Sequence, residues 1–157
     1  MSGQFESLMQ GFAESKGLPT ENVSAGIEFV TDQDSLVVVP HPARDDLLII
    51  EVNVDDFGPD AEPLSREALF LLHQINESAR FEHDWLITIG GDGAVQIHCT
   101  RAVGDTDVPG LESLMSEGLE RSDSLRSLLA SLGQSEVSNK PEDDTPSTQF
   151  GGPFIRG

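Results

Sequence analysis

The sequence has 157 residues, of which 37% are hydrophobic, so it can bury one substantial core but hardly two. It carries 28 acidic against 9 basic side chains, and a formal net charge of −19 repels nucleic acid phosphates and anionic membranes. No apolar run reaches membrane-spanning length, the N-terminus lacks a signal-peptide pattern, and the single Cys99 excludes an internal disulfide. We therefore expect a soluble cytoplasmic protein whose partners are basic or neutral proteins.

The first third of the chain predicts one helix and three strands. Apolar residues recur at helical spacing at Phe5, Leu8, Met9, Phe12 and Ala13, and Gly17 follows as a stop signal. The segments GIEFV (26–30), SLVVV (35–39) and LLIIEVNV (47–54) are typical of strands, and short turns between them indicate antiparallel pairing.

The second and third of these strands are apolar on both faces, whereas a half-buried strand alternates apolar and polar residues. Val37 and Val39 oppose Leu36 and Val38, and the next strand repeats the pattern with Leu47 and Ile49 opposing Leu48 and Ile50. Two interpretations stay open. Either helices cover both faces of the sheet, or the second face receives another polypeptide.

The stretch from Leu64 to Ala79 predicts the central helix, with Ser65 as its N-cap. One side of this helix is apolar and comprises Leu64, Ala68, Leu71, Leu72, Ile75 and Ala79, widened by Leu69. Phe70 falls near the opposite, polar side with His73. The apolar side is wider than one sheet face needs, so we expect two neighbours. One should be a sheet, and the second could be another copy of the chain.

After this helix, which an acidic linker (55–63) precedes, the sequence predicts a hairpin, a last helix and a tail. The strands of the hairpin alternate apolar and polar residues around a GGDG turn (90–93). A leucine stripe from Leu111 to Leu132, weakened at Gly118 and Ser122, predicts a helix that ends at Gly133. The segment beyond has the composition of a disordered tail. Its Phe150, Phe154 and Ile155 are either a short docking motif or simply the end of the tail.

The order of elements is therefore α-β-β-β-α-β-β-α, which indicates an α+β fold with a twisted, mainly antiparallel sheet and helices packed on it. We expect one domain over residues 1–132 and a disordered, acidic, Pro/Ser-rich tail over 133–157.

No catalytic or metal-binding pattern stands out. The histidines His41, His73, His83 and His98 lack metal-ligand spacing, and Cys99 has no partner cysteine. The triplet at 56–58 spells the kinase magnesium motif without the loops that accompany it, the GGDG turn lacks what a phosphate loop needs, and no serine sits in a nucleophile elbow. We therefore expect no enzyme activity, no metal and no cofactor.

The predicted order, the segment LFLLHQIN (69–76), the hairpin DWLITIGGDGAVQIHCTRAV (84–103) and the leucine-bearing last helix together resemble the class I (CesT/Tir-type) type III secretion chaperones. The similarity of order spans about residues 4–132, and the motif similarity is confined to 69–103. The long tail departs from the shorter family pattern. The broadly acting, acidic export-control chaperones of plant-pathogen secretion systems are one subgroup that the chain resembles.

The resemblance implies a bacterial, cytoplasmic homodimer that acts without ATP or metal and holds the N-terminal segment of a secreted effector extended before export. The secretion ATPase is a further candidate partner. Carried over by position, the dimer contacts would come from Leu69, Phe70, Leu72, His73 and Asn76, with Trp85 or Leu86 nearby. The client-binding surface would come from the first helix and first three strands, through Phe5, Leu8, Met9, Phe12, Phe29, Val37, Val39, Leu47 and Ile49.

Three other functions compete with this interpretation. A chaperone-like regulatory or stress adaptor would have the same fold but no secretion client. An acidic nucleic-acid mimic would occupy a basic protein surface and would need carboxylates in paired rows, whereas these acids are scattered through turns and helix surfaces. A small hydrolase would need clustered titratable groups.

Overall fold

The computed structural model describes residues 3–55, 64–82, 84–90 and 93–138. Most of the predicted acidic linker, His83, the tip of the GGDG turn and the tail segment 139–157 lie outside these ranges. Within them the helices are α1 (Gly3–Lys16), α2 (Arg66–Glu82) and α3 (Val108–Ser138). The strands are β1 (Ile27–Val30), β2 (Ser35–Pro40), β3 (Leu47–Asp55), β4 (Trp85–Ile89) and β5 (Val95–Ala102). This order confirms the predicted α+β class.

Local signals set the ends of the first two helices where the sequence predicted them. Gly17 adopts a left-handed φ of 67°, and the N–H groups of Gly17 and Leu18 donate to carbonyls of the last turn of α1 at 3.2 and 2.9 Å. This is a Schellman motif, which satisfies carbonyls that the helix itself leaves unpaired. At the start of α2, the Ser65 hydroxyl accepts a hydrogen bond from the Ala68 N–H at 3.1 Å and so acts as the N-cap.

The five strands form one antiparallel sheet in the order β1-β2-β3-β5-β4. Strands β3 and β5 pair although α2 and β4 separate them in the chain, and this pairing joins the N-terminal three strands to the C-terminal hairpin. The two edges of the sheet are therefore β1 and β4. The helices cover one face, which we call the inner face. The inner-face core side chains include Leu36, Val38, Leu48, Ile50, Val52, Trp85, Ile87, Val95, Ile97 and Cys99, all of them buried.

The third helix packs close to the inner face because two of its residues are small. Gly118 and Ser122 are the positions at which the predicted leucine stripe weakened, and both are buried. A Cβ on Gly118 would lie 2.5 Å from Cη2 of Trp85, so only a glycine fits there without a shift. Arg126, one turn further on, donates to the Val54 carbonyl at 2.9 Å and forms an ion pair with Asp34. These contacts tie α3 to the ends of β2 and β3.

The prediction that α3 ends at Gly133 is wrong, because the helix continues to Ser138. A glycine ends a helix when it adopts the left-handed conformation, whereas Gly133 lies within α3. Glycine permits that conformation but does not impose it. The predicted tail therefore begins with a helical segment, 133–138.

Candidate protein-binding surfaces

The outer face of the sheet carries an apolar patch that is not part of the core. Val37, Val39, Leu47 and Ile49 are all half-buried, and none of them packs with the core cluster of the inner face. The first interpretation left open by the sequence, helices on both faces, does not hold for the described residues, because their helices cover the inner face and leave this patch accessible. We call these four residues the outer-face patch.

Acidic side chains border the outer-face patch. Across the strands, Val39 lies directly opposite Ile49, and Val37 lies between Glu28 of β1 and Glu51 of β3. Directly paired residues of antiparallel strands share a face and contact each other. The patch is thus apolar in the middle and negatively charged at its border.

The two edges of the sheet differ in what they offer. At β4, the Asn76 carboxamide of α2 donates to the Ile87 carbonyl at 2.8 Å and accepts from the Ile87 N–H at 2.7 Å. This side chain takes the place of a neighbouring strand and occupies the edge. The other edge, β1, pairs with β2 on one side, and in the described part of the chain no strand pairs with its other side. Val30, at the end of β1, is 70% exposed.

The side of α2 that points away from the sheet carries exposed apolar residues. Leu69 is 44% and Phe70 62% exposed, and His73 is exposed beside them. Exposed aromatic residues on a helix are typical of protein contacts. The other residues predicted for the dimer contact lie elsewhere. Leu72 and Trp85 are buried in the core of the protomer, Asn76 is bonded to β4, and Leu86 is half-buried on the outer face.

The residues of α1 that were predicted to bind a client lie inside the protomer. Phe5, Leu8, Met9 and Phe12 are buried in the core. Phe29 contacts Phe12 edge-to-face, with ring centroids 5.9 Å apart, and packs against the same core. The helical spacing identified the apolar side of α1 correctly, but that side packs into the core of the protomer. The four residues of α1 therefore offer little accessible surface, while Phe29 is half-buried on the inner side.

A groove of about 390 Å³ opens between α2 and α3, and we call it the helix groove. Its floor consists of Trp85, Ile87 and Ile97, and its walls consist of Ile75, Glu117, Glu120, Arg121, Ser124, Leu125 and Leu128. Arg121 donates to the Glu117 carboxylate at 2.9 Å. Partial burial opposes ionisation of Glu117, but hydrogen bonds from Arg121 and Trp85 hold the pKa of its carboxyl below the usual value. The groove therefore joins an apolar floor to a charged rim.

Neither a metal site nor a membrane span is found in the described ranges. No group of three or more His, Cys, Asp or Glu side chains there could hold a metal ion, and no helix among these residues is long and apolar enough to cross a membrane. Cys99 is buried on the inner face, and burial raises the pKa of its thiol to about 11.

Comparison with solved structures identifies the fold. The chain superposes on a chain of the ExsC–ExsE complex with a TM-score of 0.67 and 19% identity, over 82% of this chain and 96% of the other. The HopA1–SchA chaperone–effector complex gives a TM-score of 0.64 and 14% identity, covering 80% and 95%. The Yersinia pestis type III secretion chaperone SycH, in complex with a fragment of YscM2, gives 0.58 and 14%, covering 77% and 98%.

These neighbours are class I type III secretion chaperones, so the chain has the fold of that class and the predicted resemblance is confirmed at the level of the fold. No protein-family model matches the sequence, and no curated protein matches it by sequence.

Sequence reasoning missed two features of these surfaces, the helix groove and the Asn76 bridge to β4. The groove joins residues of α2, β4, β5 and α3, and no local pattern relates them. A signal for the bridge was present in the sequence. An asparagine within a strong helix is a poor helix former, so its presence at position 76 indicates a specific contact.

Proposed function

We propose that this chain is a type III secretion chaperone of the bacterial cytoplasm, which binds the N-terminal segment of secreted effectors and keeps it extended for export. The observation that carries the proposal is the outer-face patch, an apolar surface outside the core. The edge of β1 supports it further, because an extended segment could add its backbone there as another strand. The chaperone fold of the structural neighbours, whose solved complexes include a chaperone–effector pair, agrees with it.

The outer-face patch is suited to the task of keeping a client segment extended. An extended client segment cannot bury its own apolar side chains, so the outer-face patch offers them the contact that folding would otherwise provide. The net charge of −19 keeps the loaded complex soluble. The acidic border of Glu28 and Glu51 would favour client segments with basic residues next to their apolar anchors. This is a binding role that needs no catalytic residue, metal or nucleotide.

The test is co-expression with tagged N-terminal segments of candidate effectors, followed by co-purification and limited proteolysis. Wild-type protein should make some of these segments soluble and protease-resistant. The double variant Val37→Asp/Ile49→Asp should weaken binding about 100-fold or more, since two buried apolar anchors contribute about 1.5–3 kcal/mol each. Both side chains are outside the core, so the fold should persist.

The matched control is Leu18→Asp/Ser116→Asp, which adds the same charge at exposed positions at the end of α1 and on α3, away from the outer face. It should bind as the wild type does. Equal co-purification by wild type and Val37→Asp/Ile49→Asp would remove the outer-face patch from the client site. Capture of a regulatory protein and of no effector segment would favour the adaptor function instead.

We further propose that the chain forms a homodimer through the exposed side of α2, with Leu69, Phe70 and His73 at the contact. The exposed Phe70 ring supports this, because aromatic anchors dominate protein interfaces. Phe70→Asp should convert dimers to monomers in sedimentation at micromolar concentration, while Leu18→Asp should leave them dimeric. A wild-type protein that sediments as a monomer would refute the dimer but leave the client site to its own test.

A further inference from the structure

The helix groove is an apolar cavity of the described chain that the proposed function does not use. Its floor and inner wall consist of apolar side chains, and Leu128 at its mouth is 36% exposed. A volume of about 390 Å³ lies in the range of ligand-binding clefts. A groove of this size and composition has room for more than one large apolar side chain.

The rim selects for a positive charge. It carries two carboxylates, Glu117 and Glu120, against the one guanidinium of Arg121, which is already bonded to Glu117. Glu117 is ionised at neutral pH, because the effect of partial burial is outweighed by hydrogen bonds from Arg121 and Trp85, which lower the pKa of its carboxyl. The ligand that fits is therefore a short polypeptide segment with large apolar side chains next to a basic residue.

The chain itself contains such a segment. Of the 19 residues after Ser138, the stretch 139–149 (NKPEDDTPSTQ) has no large apolar side chain. The stretch 150–157 (FGGPFIRG) contains Phe150, Phe154 and Ile155, and its single charged side chain is Arg156. The segment 150–157 thus combines apolar groups with a basic group, and an acidic tether without large apolar side chains joins it to α3.

The tether is long enough to return to the groove. Ten residues of α3 separate Leu128 from Ser138, a distance of about 15 Å along the helix. The 12 residues from Ser138 to Phe150 span up to roughly 40 Å when extended. Attachment to α3 also gives the segment an effective concentration on the order of 1 mM, so an intrinsic Kd of about 0.1 mM would already keep the groove about 90% occupied.

We propose that residues 150–156 dock in the helix groove of their own chain. Phe154 and Ile155 occupy the apolar floor, and Arg156 lies at the carboxylates of the rim. The segment acts as a tethered ligand that covers the groove and that a partner must displace. The helix groove lies on the face of the sheet opposite to the outer-face patch, so docking in the groove can be tested independently of client binding.

The experiment uses the full chain with selective labelling of isoleucine methyl groups and one spin label. A Gln149→Cys variant can be labelled at the new thiol alone, since Cys99 is buried and its pKa is raised to about 11. Methyl signals of Ile75, Ile87 and Ile97, which line the groove, should lose most of their intensity. The Ile49 methyl on the outer face should keep its intensity and also report that the sheet is intact.

Two pairs of variants separate docking from chance proximity. In the labelled protein, Phe154→Asp/Ile155→Asp should restore the groove signals, while Thr145→Asp/Ser147→Asp, which adds the same charge to the tether, should not. On the groove, Leu128→Asp should restore the signals and Leu18→Asp should not, although the two leucines are equally exposed.

Two results would overturn the proposal. One is full intensity of the Ile75, Ile87 and Ile97 signals in the spin-labelled wild-type background. The other comes from mixing isoleucine-labelled protein that carries no spin label with spin-labelled protein that carries no isoleucine label. Broadening in that mixture would assign the groove to the segment of a second copy rather than to the same chain.

Discussion

Replacing Asn76 by alanine tests how α2 holds the outer edge of β4. The carboxamide makes two hydrogen bonds with the Ile87 backbone, at 2.7 and 2.8 Å in a half-buried position. Each such bond contributes about 0.5–1.5 kcal/mol net, so their loss costs about 1–3 kcal/mol. Alanine returns up to about 0.7 kcal/mol through its higher helix propensity. We expect a net loss of about 1.5 kcal/mol, which lowers the Tm of a chain of this size by about 3–6 °C.

Thermal unfolding followed by far-UV circular dichroism measures the change, at equal protomer concentration because self-association shifts stability. Amide hydrogen exchange locates it. The Ile87 N–H should exchange about tenfold faster in Asn76→Ala, in keeping with a loss of about 1.4 kcal/mol. The control Gln74→Ala removes an exposed carboxamide from the same helix and should change the Tm little. Unchanged protection of the Ile87 amide in Asn76→Ala would refute the view that α2 closes this edge.

Three more predictions follow from the packing of α3 and the sheet. Gly118→Ala should destabilise the fold by about 1–3 kcal/mol in urea unfolding, because the added methyl would lie 2.5 Å from the buried indole of Trp85. The control Gly11→Ala in α1 has room for its methyl and should be neutral or stabilising. Arg126→Ala should lower the free energy of unfolding by about 2 kcal/mol, since it removes a charged hydrogen bond to a backbone carbonyl and an ion pair. Lys16→Ala removes an exposed ion pair and should cost less than about 1 kcal/mol. Equal losses in the two variants would contradict the anchoring role of Arg126. Burial raises the pKa of the Cys99 thiol from 9.0 in the unfolded chain to about 11 in the folded one. The contribution of this thiol to the free energy of unfolding is therefore full below pH 9 and decreases by about 3 kcal/mol as the pH rises toward 11. This alkaline loss should vanish in Cys99→Ala.

The elements themselves could be predicted because their signals are local. Gly17 and Ser65 end and begin helices through hydrogen bonds to backbone groups that are near in sequence. The alternation in 85–89 and 95–99 gave a hairpin whose buried face is the predicted one. Gly133 shows the limit of such signals. A glycine permits a helix to end but does not force it to, and α3 continues past Gly133 to Ser138.

The candidate surfaces were only partly predictable, since periodicity identifies an apolar side but not what covers it. The family resemblance marked Phe12 and Val37 alike as client-binding residues, yet Phe12 is buried in the core of the protomer, while Val37 points away from the helices and stays accessible. Asn76, assigned to a dimer contact by resemblance, is bonded within the protomer.

The amino-acid sequence alone determined the order of helices and strands, the positions of most of their ends, the acidic character and the resemblance in fold. The tertiary structure decided which apolar faces meet each other, that α3 approaches the sheet at Gly118, and that α2 and α3 leave a groove between them. The physical reason is range. Helix ends and strand alternation depend on residues a few positions apart, whereas burial depends on elements such as β3 and β5 that pair across nearly fifty residues of chain.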